Sequence, residues 1–189
     1  KYNMLAYKKL TFEYYVEMLA SLRNLFPKVN LKAFTAVEIC HFAKKSNTTP
    51  EQILSVLKQA GLDALPGGGA EILVQSVRDK ICGKKETGKE WLSVHNAAHQ
   101  LGIPTNATML FGHIESPEHR IAHMEMLRDL QDKSPGFFAF IPLVYLPQRN
   151  DLNRIVPERT PEEDILRTIA VARLFLDNFP HIKAYWIQM

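Results

Sequence analysis

From Gly102 to Glu118 the chain reads GIPTNATMLFGHIESPE. The run Thr105 to Phe111 has strand length and is nearly continuous in apolar character, as suits a strand buried on both faces. Gly102 stops the helical stripe Trp91, His95, Ala98 and Leu101 that precedes it. Ser116-Pro117-Glu118 starts another helix, with an acidic residue at its positive end. A buried strand held between two helices is the unit of a parallel α/β fold.

The same grammar extends in both directions. Apolar runs of strand length lie at Leu31 to Val37, at the short Ala64-Leu65, at Phe137 to Tyr145 and at Ile182 to Gln188. Helical faces recur at Phe12, Val16, Leu19, Leu22 and Phe26; at Ile53, Leu54, Leu57 and Ala60; at Ile121, Met124 and Leu127; and at Ile165, Ile169, Ala172 and Leu176. Thr49-Pro50-Glu51-Gln52, Thr87 with Glu90, and Thr160-Pro161-Glu162-Glu163 read as capping boxes. A further helix is expected from about Glu71 to Lys80. The order α-β-α-β-α-α-β-α-β-α-β implies right-handed crossovers and a parallel sheet. Five strands leave two architectures open, an arc of a barrel or a doubly wound open sheet. There is no repeat or low-complexity linker, and Leu146 to Glu158 is a long polar loop.

The composition narrows the function classes. A net charge of +3 with both signs mixed along the chain gives no nucleic-acid footprint. No apolar stretch reaches the ~20 residues of a membrane span. Lys1 begins the chain without a signal-peptide pattern, which suggests a fragment boundary and a cytoplasmic parent. Cys40 and Cys82 are too few for a Cys₄ zinc site or an iron–sulfur cluster.

In both architectures ligands bind beyond the carboxyl ends of the strands. That rule selects Glu38 and His41 after the first strand, Pro66 to Glu71 after the second, and Gly112, His113 and Glu115 after the third. Pro147 to Asn150 and Gln188 follow the fourth and fifth. Lys32 and Lys183 lie at strand beginnings, on the wrong side. Gly67, Gly68 and Gly69 would let a ligand approach the backbone, with Glu71 placed for ribose hydroxyls, although a plain turn has equal weight on spacing alone. His113 and Glu115 could orient a substrate or move protons, or Glu115 could simply favour the next helix N-terminus. The pairs His95/His99 and His119/His123 have metal-binding spacing but lie on outer helices and read as packed or solvated side chains.

Taken together, GLDALPGGGAEIL (Gly61 to Leu73), GIPTNATMLFGHIES (Gly102 to Ser116), FFAFIPLVYLP (Phe137 to Pro147) and TIAVARLFLDNFPHIKAYW (Thr168 to Trp186) resemble aminofutalosine synthase. LKAFTAVEI (Leu31 to Ile39) and EWLSVHNAAHQLGI (Glu90 to Ile103) agree with it. The resemblance implies a single domain, residues 1–189, made of the later strands and helices of a radical-SAM parallel barrel of partial TIM type. It implies S-adenosylmethionine and a [4Fe–4S] cluster as cofactors, and addition of the 5′-deoxyadenosyl radical to 3-[(1-carboxyvinyl)oxy]benzoate on the way to menaquinone. Gly67, Gly68, Gly69, Glu71, Thr108, Gly112, Glu115 and the backbone around Pro142 would meet S-adenosylmethionine. Thr108 stands where the superfamily's motif has Gly. Glu38, Asn106, His113, Arg149 and Gln188 are the substrate-side candidates, Arg149 because guanidinium binds carboxylates bidentately.

The family's Cys-x₃-Cys-x₂-Cys motif is absent, so the cluster ligands are expected outside this chain, and the chain alone is expected to be inactive. The cyclic dehypoxanthine futalosine synthase is the alternative within this group. A non-catalytic, adenosyl-binding barrel remnant is the alternative of another class. An open sheet edge would favour self-association. A Schiff-base aldolase is disfavoured, because no Lys sits at a predicted strand end.

Overall fold

The computed structural model describes residues 10–147 and 151–185. Seven helices alternate with a parallel sheet: α1 (Phe12–Leu25), α2 (Ala36–Lys45), α3 (Pro50–Gln59), α4 (Gln75–Cys82), α5 (Gly88–Gln100), β1 (Thr105–Phe111), α6 (Pro117–Lys133), β2 (Phe137–Val144), α7 (Glu162–Phe175) and β3 (His181–Ile182). The sheet order is β1-β2-β3, all parallel. Single parallel bridges, Lys32 to Ala64 and Leu65 to Thr105, continue it on the other side.

Two of the five expected strands are therefore single bridges rather than strands, and the first is cut short. Phe34 takes a positive φ, Thr35 caps α2, and the Glu38 carboxylate accepts from the Thr35 amide at 2.7 Å. That capping box turns the chain into a helix at Ala36, where sequence reading extends the strand to Val37. It also creates α2, a helix that reading omits. The helix expected from Glu71 starts at Gln75 instead, because Glu71 takes a positive φ with its carbonyl accepting from the Leu110 amide of β1 at 2.7 Å, and Val74, the N-cap, is extended. Thr160 does not cap α7, whose N-cap is Pro161. The strand Thr105 to Phe111 and the boxes at Thr49 and Thr87 stand as read.

Strand order follows chain order without a reversal, so the sheet has no switch point. A doubly wound sheet needs one, and a barrel arc does not. Sheet pairing assigns each side chain a face. Ala107, Met109 and Phe111 pair with Phe140, Pro142 and Val144 and are buried toward the helices. Asn106, Thr108 and Leu110 pair with Ala139, Ile141 and Leu143 on the opposite, inner face. A register shift at Thr105/Asn106 sets this alternation and leaves Phe138 48% exposed. The Tyr145 amide donates to Phe111 and the Lys183 amide to Phe140. Odd-numbered amides of β2 thus face β1, and Pro142 lacks its N–H on the β3 side, where no described strand pairs with it.

Lys32 and Lys183 stand four strands apart in the sheet order, and burial and then the charge of Lys183 hold the Lys32 ammonium below the usual lysine range.

The helix layer hides an aromatic seam containing three histidines. His95 stacks on Trp91 at 3.7 Å, and neither of its ring nitrogens has a hydrogen-bond partner. His99 meets the Ser134 carbonyl at 2.8 Å and the Thr105 hydroxyl at 2.9 Å. His123 Nδ1 accepts from the Leu73 amide at 3.0 Å. Burial depresses all three, His123 to about 3.

Arg78 fixes the loop after Leu65. Its guanidinium is 1% exposed and donates only to carbonyls: Glu86 (2.6 Å), Ala70 (2.5 Å), Ile72 (3.3 Å) and Gly69 (3.0 Å). Trp91 Nε1 donates to the Gly68 carbonyl at 3.2 Å, and the Thr108 hydroxyl to Gly67 at 2.6 Å.

This packing has two measurable outcomes. Arg78→Leu should destabilise the chain by about 3 kcal/mol, since buried carbonyls lose a charged donor. Thermal unfolding, with hydrogen exchange of residues 67–72, measures it. The buried histidines make the second. Below the unfolded imidazole pKa of about 6.5 the unfolded chain takes up protons that the folded one cannot, so stability falls with pH by up to about 1.4 kcal/mol per unit for each histidine. The melting temperature should drop between pH 7 and pH 5, and less steeply in His95→Phe; a flat profile would contradict the buried, neutral assignment.

Candidate functional site

The loop after Leu65 is pinned at every glycine. A Cβ on Gly67 would lie 2.7 Å from the Asn106 carbonyl of β1, and one on Gly69 would lie 2.6 Å from Val37. Gly69 also has φ +84°, and Glu71 has φ +44°. The loop therefore lies flat along β1, one backbone on another, which only glycine permits. The carbonyls of Gly67, Gly68, Gly69 and Ala70 all accept from side chains of the chain itself. The amides of the same four residues donate to no acceptor among the described residues. Gly67 and Ala70 are buried, but Gly68 and Gly69 are half-buried, and their N–H groups, with the carbonyls tied back, can donate to ligand oxygens. The Glu71 carboxylate stands at the end of this row, held by Lys85 at 2.5 Å.

The second element lies past the end of β1. Glu115 accepts from the Gly112 amide (2.6 Å), the His113 amide (2.8 Å) and Arg120 Nε (2.8 Å). Its side chain is fully buried. Burial by itself would raise its pKa, but the bonds from His113 and the Gly112 amide outweigh it and hold the carboxyl down to about 2. Arg120 then reaches Asp164 (2.8 Å) and Thr168 (2.9 Å) on α7, and lies 5.1 Å over the Phe111 ring. Gly112, at φ +83°, touches Thr160, whose buried hydroxyl has no partner. Glu115 thus shapes the turn and anchors it to α7, which is more than favouring a helix start.

Other sequence candidates scatter. Pro142 is buried on the helix side beside Met109, so only its backbone is available to a ligand. Glu38 is the N3 residue of α2 rather than a strand-end side chain, and its carboxylate caps Thr35. Asn106 is the second residue of β1, at its beginning and not its end; it is 8% exposed, with Oδ1 unpartnered. The His113 ring is bonded locally: Nε2 lies 3.0 Å from the Leu110 carbonyl, and Nδ1 lies 2.8 Å from the Ile114 amide and 2.9 Å from the Glu115 carboxylate, so the turn brings His113 and Glu115 together. Arg149 and Gln188 lie outside the described residues. Sequence reading overlooks Arg78, Lys85 and Arg120. The first two have no local signal, while Arg120 stands five residues after Glu115 across a helix start.

Among the described residues no group of three His, Cys, Asp or Glu could hold a metal ion. Cys40 and Cys82 are free, on α2 and at the end of α4, and burial pushes the Cys40 thiol up to about 11. These residues do not fit an iron–sulfur cluster. No helix among them is long and apolar enough to cross a membrane.

Comparison with known proteins matches no family model. The chain is 52% identical over 183 residues to the aminodeoxyfutalosine synthase of Thermus thermophilus, covering 96% of this chain and 49% of the relative. It is 42% identical over 187 residues to the enzyme of the same name from Streptomyces coelicolor, covering 95% and 48%. The cyclic dehypoxanthine futalosine synthase of Streptomyces coelicolor is 40% identical over 175 residues, covering 93% and 43%. The chain spans about half the length of the curated relatives it matches. The resemblance read from its blocks therefore holds along nearly the whole chain: this sequence is similar to about half of an aminodeoxyfutalosine synthase.

Proposed function

We propose that this chain forms the nucleoside-binding and substrate-binding part of an aminodeoxyfutalosine synthase. That enzyme would join the 5′-deoxyadenosyl group of S-adenosylmethionine to 3-[(1-carboxyvinyl)oxy]benzoate with release of methionine, and the enolpyruvyl carboxylate would leave with uptake of water as bicarbonate, giving 6-amino-6-deoxyfutalosine. The observation that carries the reading is the row of undonated amides from Gly67 to Ala70, ending at Glu71 and running beside β1. Of these, the half-buried amides of Gly68 and Gly69 would bind oxygens of the methionine or ribose part, and Glu71 would accept from the ribose hydroxyls. The Gly112 turn, set by Glu115, would close over the adenine side together with backbone groups of residues 141–143. When bound, S-adenosylmethionine would supply the adenosyl group. The described residues offer no ligands for the [4Fe–4S] cluster such an enzyme uses, and the chain's own part is to bind, orient and exclude water. The cyclase reading is weaker, since its representative is 40% identical where the first synthase is 52%.

Equilibrium titration of the chain with S-adenosylmethionine tests this. Saturable binding is expected, weakened at least tenfold by Gly67→Ala, which lifts the loop off β1, and by a smaller factor in Glu71→Gln. A folded chain with no saturable binding overturns the reading. Glu115→Gln gives a second measurement. The native carboxylate contributes stability above the unfolded pKa of about 4.3, and that stability is lost as pH falls toward 2, so it amounts to about 3 kcal/mol at neutral pH. The variant should melt lower at pH 7 and approach the parent near pH 2.

A further inference from the structure

The amino end of the inner sheet face carries a charge pattern that the proposed chemistry leaves unused. The tetrapeptides Leu31-Lys32-Ala33-Phe34 and Ile182-Lys183-Ala184-Tyr185 repeat one pattern at the two ends of the sheet. Leu31, Ala33 and Ile182 pack against the core, so Lys32 and Lys183 alternate to the inner face. Lys32 pairs with Ala64. Lys183 stands two residues beyond His181, the partner of Ala139, and its ammonium lies 5.7 Å from the Phe138 ring centre. Between the two lysines the face is lined by Ala64, Ala139, one amide and, beside Lys183, the His181 imidazole, whose ring lies 4.8 Å from that of Phe138. That amide belongs to Asn106, more than nine-tenths buried, with a side-chain oxygen that bonds to nothing. Neither lysine forms an ion pair with a described residue.

We propose that Lys32 and Lys183, with the Asn106 carboxamide between them, form a carboxylate-binding subsite on the inner sheet face. Two cations presented to one sheet face, neither in an ion pair with a described residue, repel each other, and an anion between them removes that repulsion. The lowered Lys32 ammonium pKa is in keeping with this repulsion. A buried amide lacking a partner on the same face gives the ligand a polar group to meet, its two ends being interchangeable by a flip. Gly67 follows Ala64 by three residues along the strand direction, about 10 Å. That is the reach of an aromatic acid extending from an adenosyl group at the glycine loop down to the lysines. The assignment rests on the reading above, and two sources of carboxylate suit it: the benzoate substrate or the methionine part of S-adenosylmethionine.

Titrations of the chain with 3-[(1-carboxyvinyl)oxy]benzoate, with its dimethyl ester and with S-adenosylmethionine separate these sources. The expected result is binding of the free acid that weakens with salt, is lost in the ester, and falls at least tenfold in Lys32→Met and in Lys183→Met at unchanged melting temperature. Asn106→Asp should weaken it as well, by placing a carboxylate between the lysines. If the lysine variants weaken S-adenosylmethionine and not the acid, the subsite holds the methionine carboxylate. If both variants bind both ligands as the parent does, the subsite is overturned while the glycine-loop reading stands. If S-adenosylmethionine fails to bind but the acid binds through the lysines, the glycine-loop reading fails and the subsite stands.

Discussion

The buried guanidinium of Arg78 is the interaction on which the rest of the site depends. A charge taken out of water must be fully hydrogen-bonded, and Arg78 meets that demand with backbone carbonyls alone. Those carbonyls belong to the segment that would bind a ligand, so satisfying the guanidinium also fixes the orientation of the peptide planes. Once the oxygens point at Arg78, Trp91 and Thr108, the N–H groups must point the other way. Preorganisation of this kind needs no particular spacing of side chains around the ligand. It needs three glycines that let the loop lie on β1 and one long cation reaching up from α4.

The strand at Thr105 to Phe111 and the helix starts at Thr49, Thr87 and Ser116 were legible because their causes are local. A capping box is decided within four residues, and a buried strand by a run of apolar ones. The box at Thr35-x-x-Glu38 is equally local, but it sits inside an apolar run that reads as strand, and so α2 stayed hidden. The late start of α4 was not legible at all. Residues 71–74 stay out of the helix because β1 takes up the Glu71 carbonyl and His123 the Leu73 amide, and both partners are distant in sequence. Thr160 has the wording of an N-cap but lies against Gly112, a contact made only after α7 docks.

Of the candidate site, the glycine loop and Glu115 were visible as unusual residue types at strand ends. Glu38 falls in a helix cap because α2 begins inside the run read as strand, whereas the strand of Asn106 lies where it was read and puts that side chain on the floor of the arc rather than at its mouth. Arg78 and Arg120 were invisible because a buried arginine and a surface arginine look alike in sequence.

The two titrating systems of the fold act in the same sense in different pH windows, both losing stability as pH falls. The seam of His95, His99 and His123 is neutral when folded, so acid weakens it from about pH 6.5 downward. Glu115 keeps its charge through that whole window and yields only near pH 2. Mild acid therefore loosens the packing between helices and sheet before it touches the turn past β1. Leu73 closes the segment that carries the glycine loop, and its amide is bonded to His123 Nδ1. A proton on that nitrogen would remove the bond. Because burial holds His123 down to about 3, that bond outlasts mild acid, and the loop Arg78 holds and the Glu115–Arg120–Asp164 clamp keep their places while the fold as a whole loses stability.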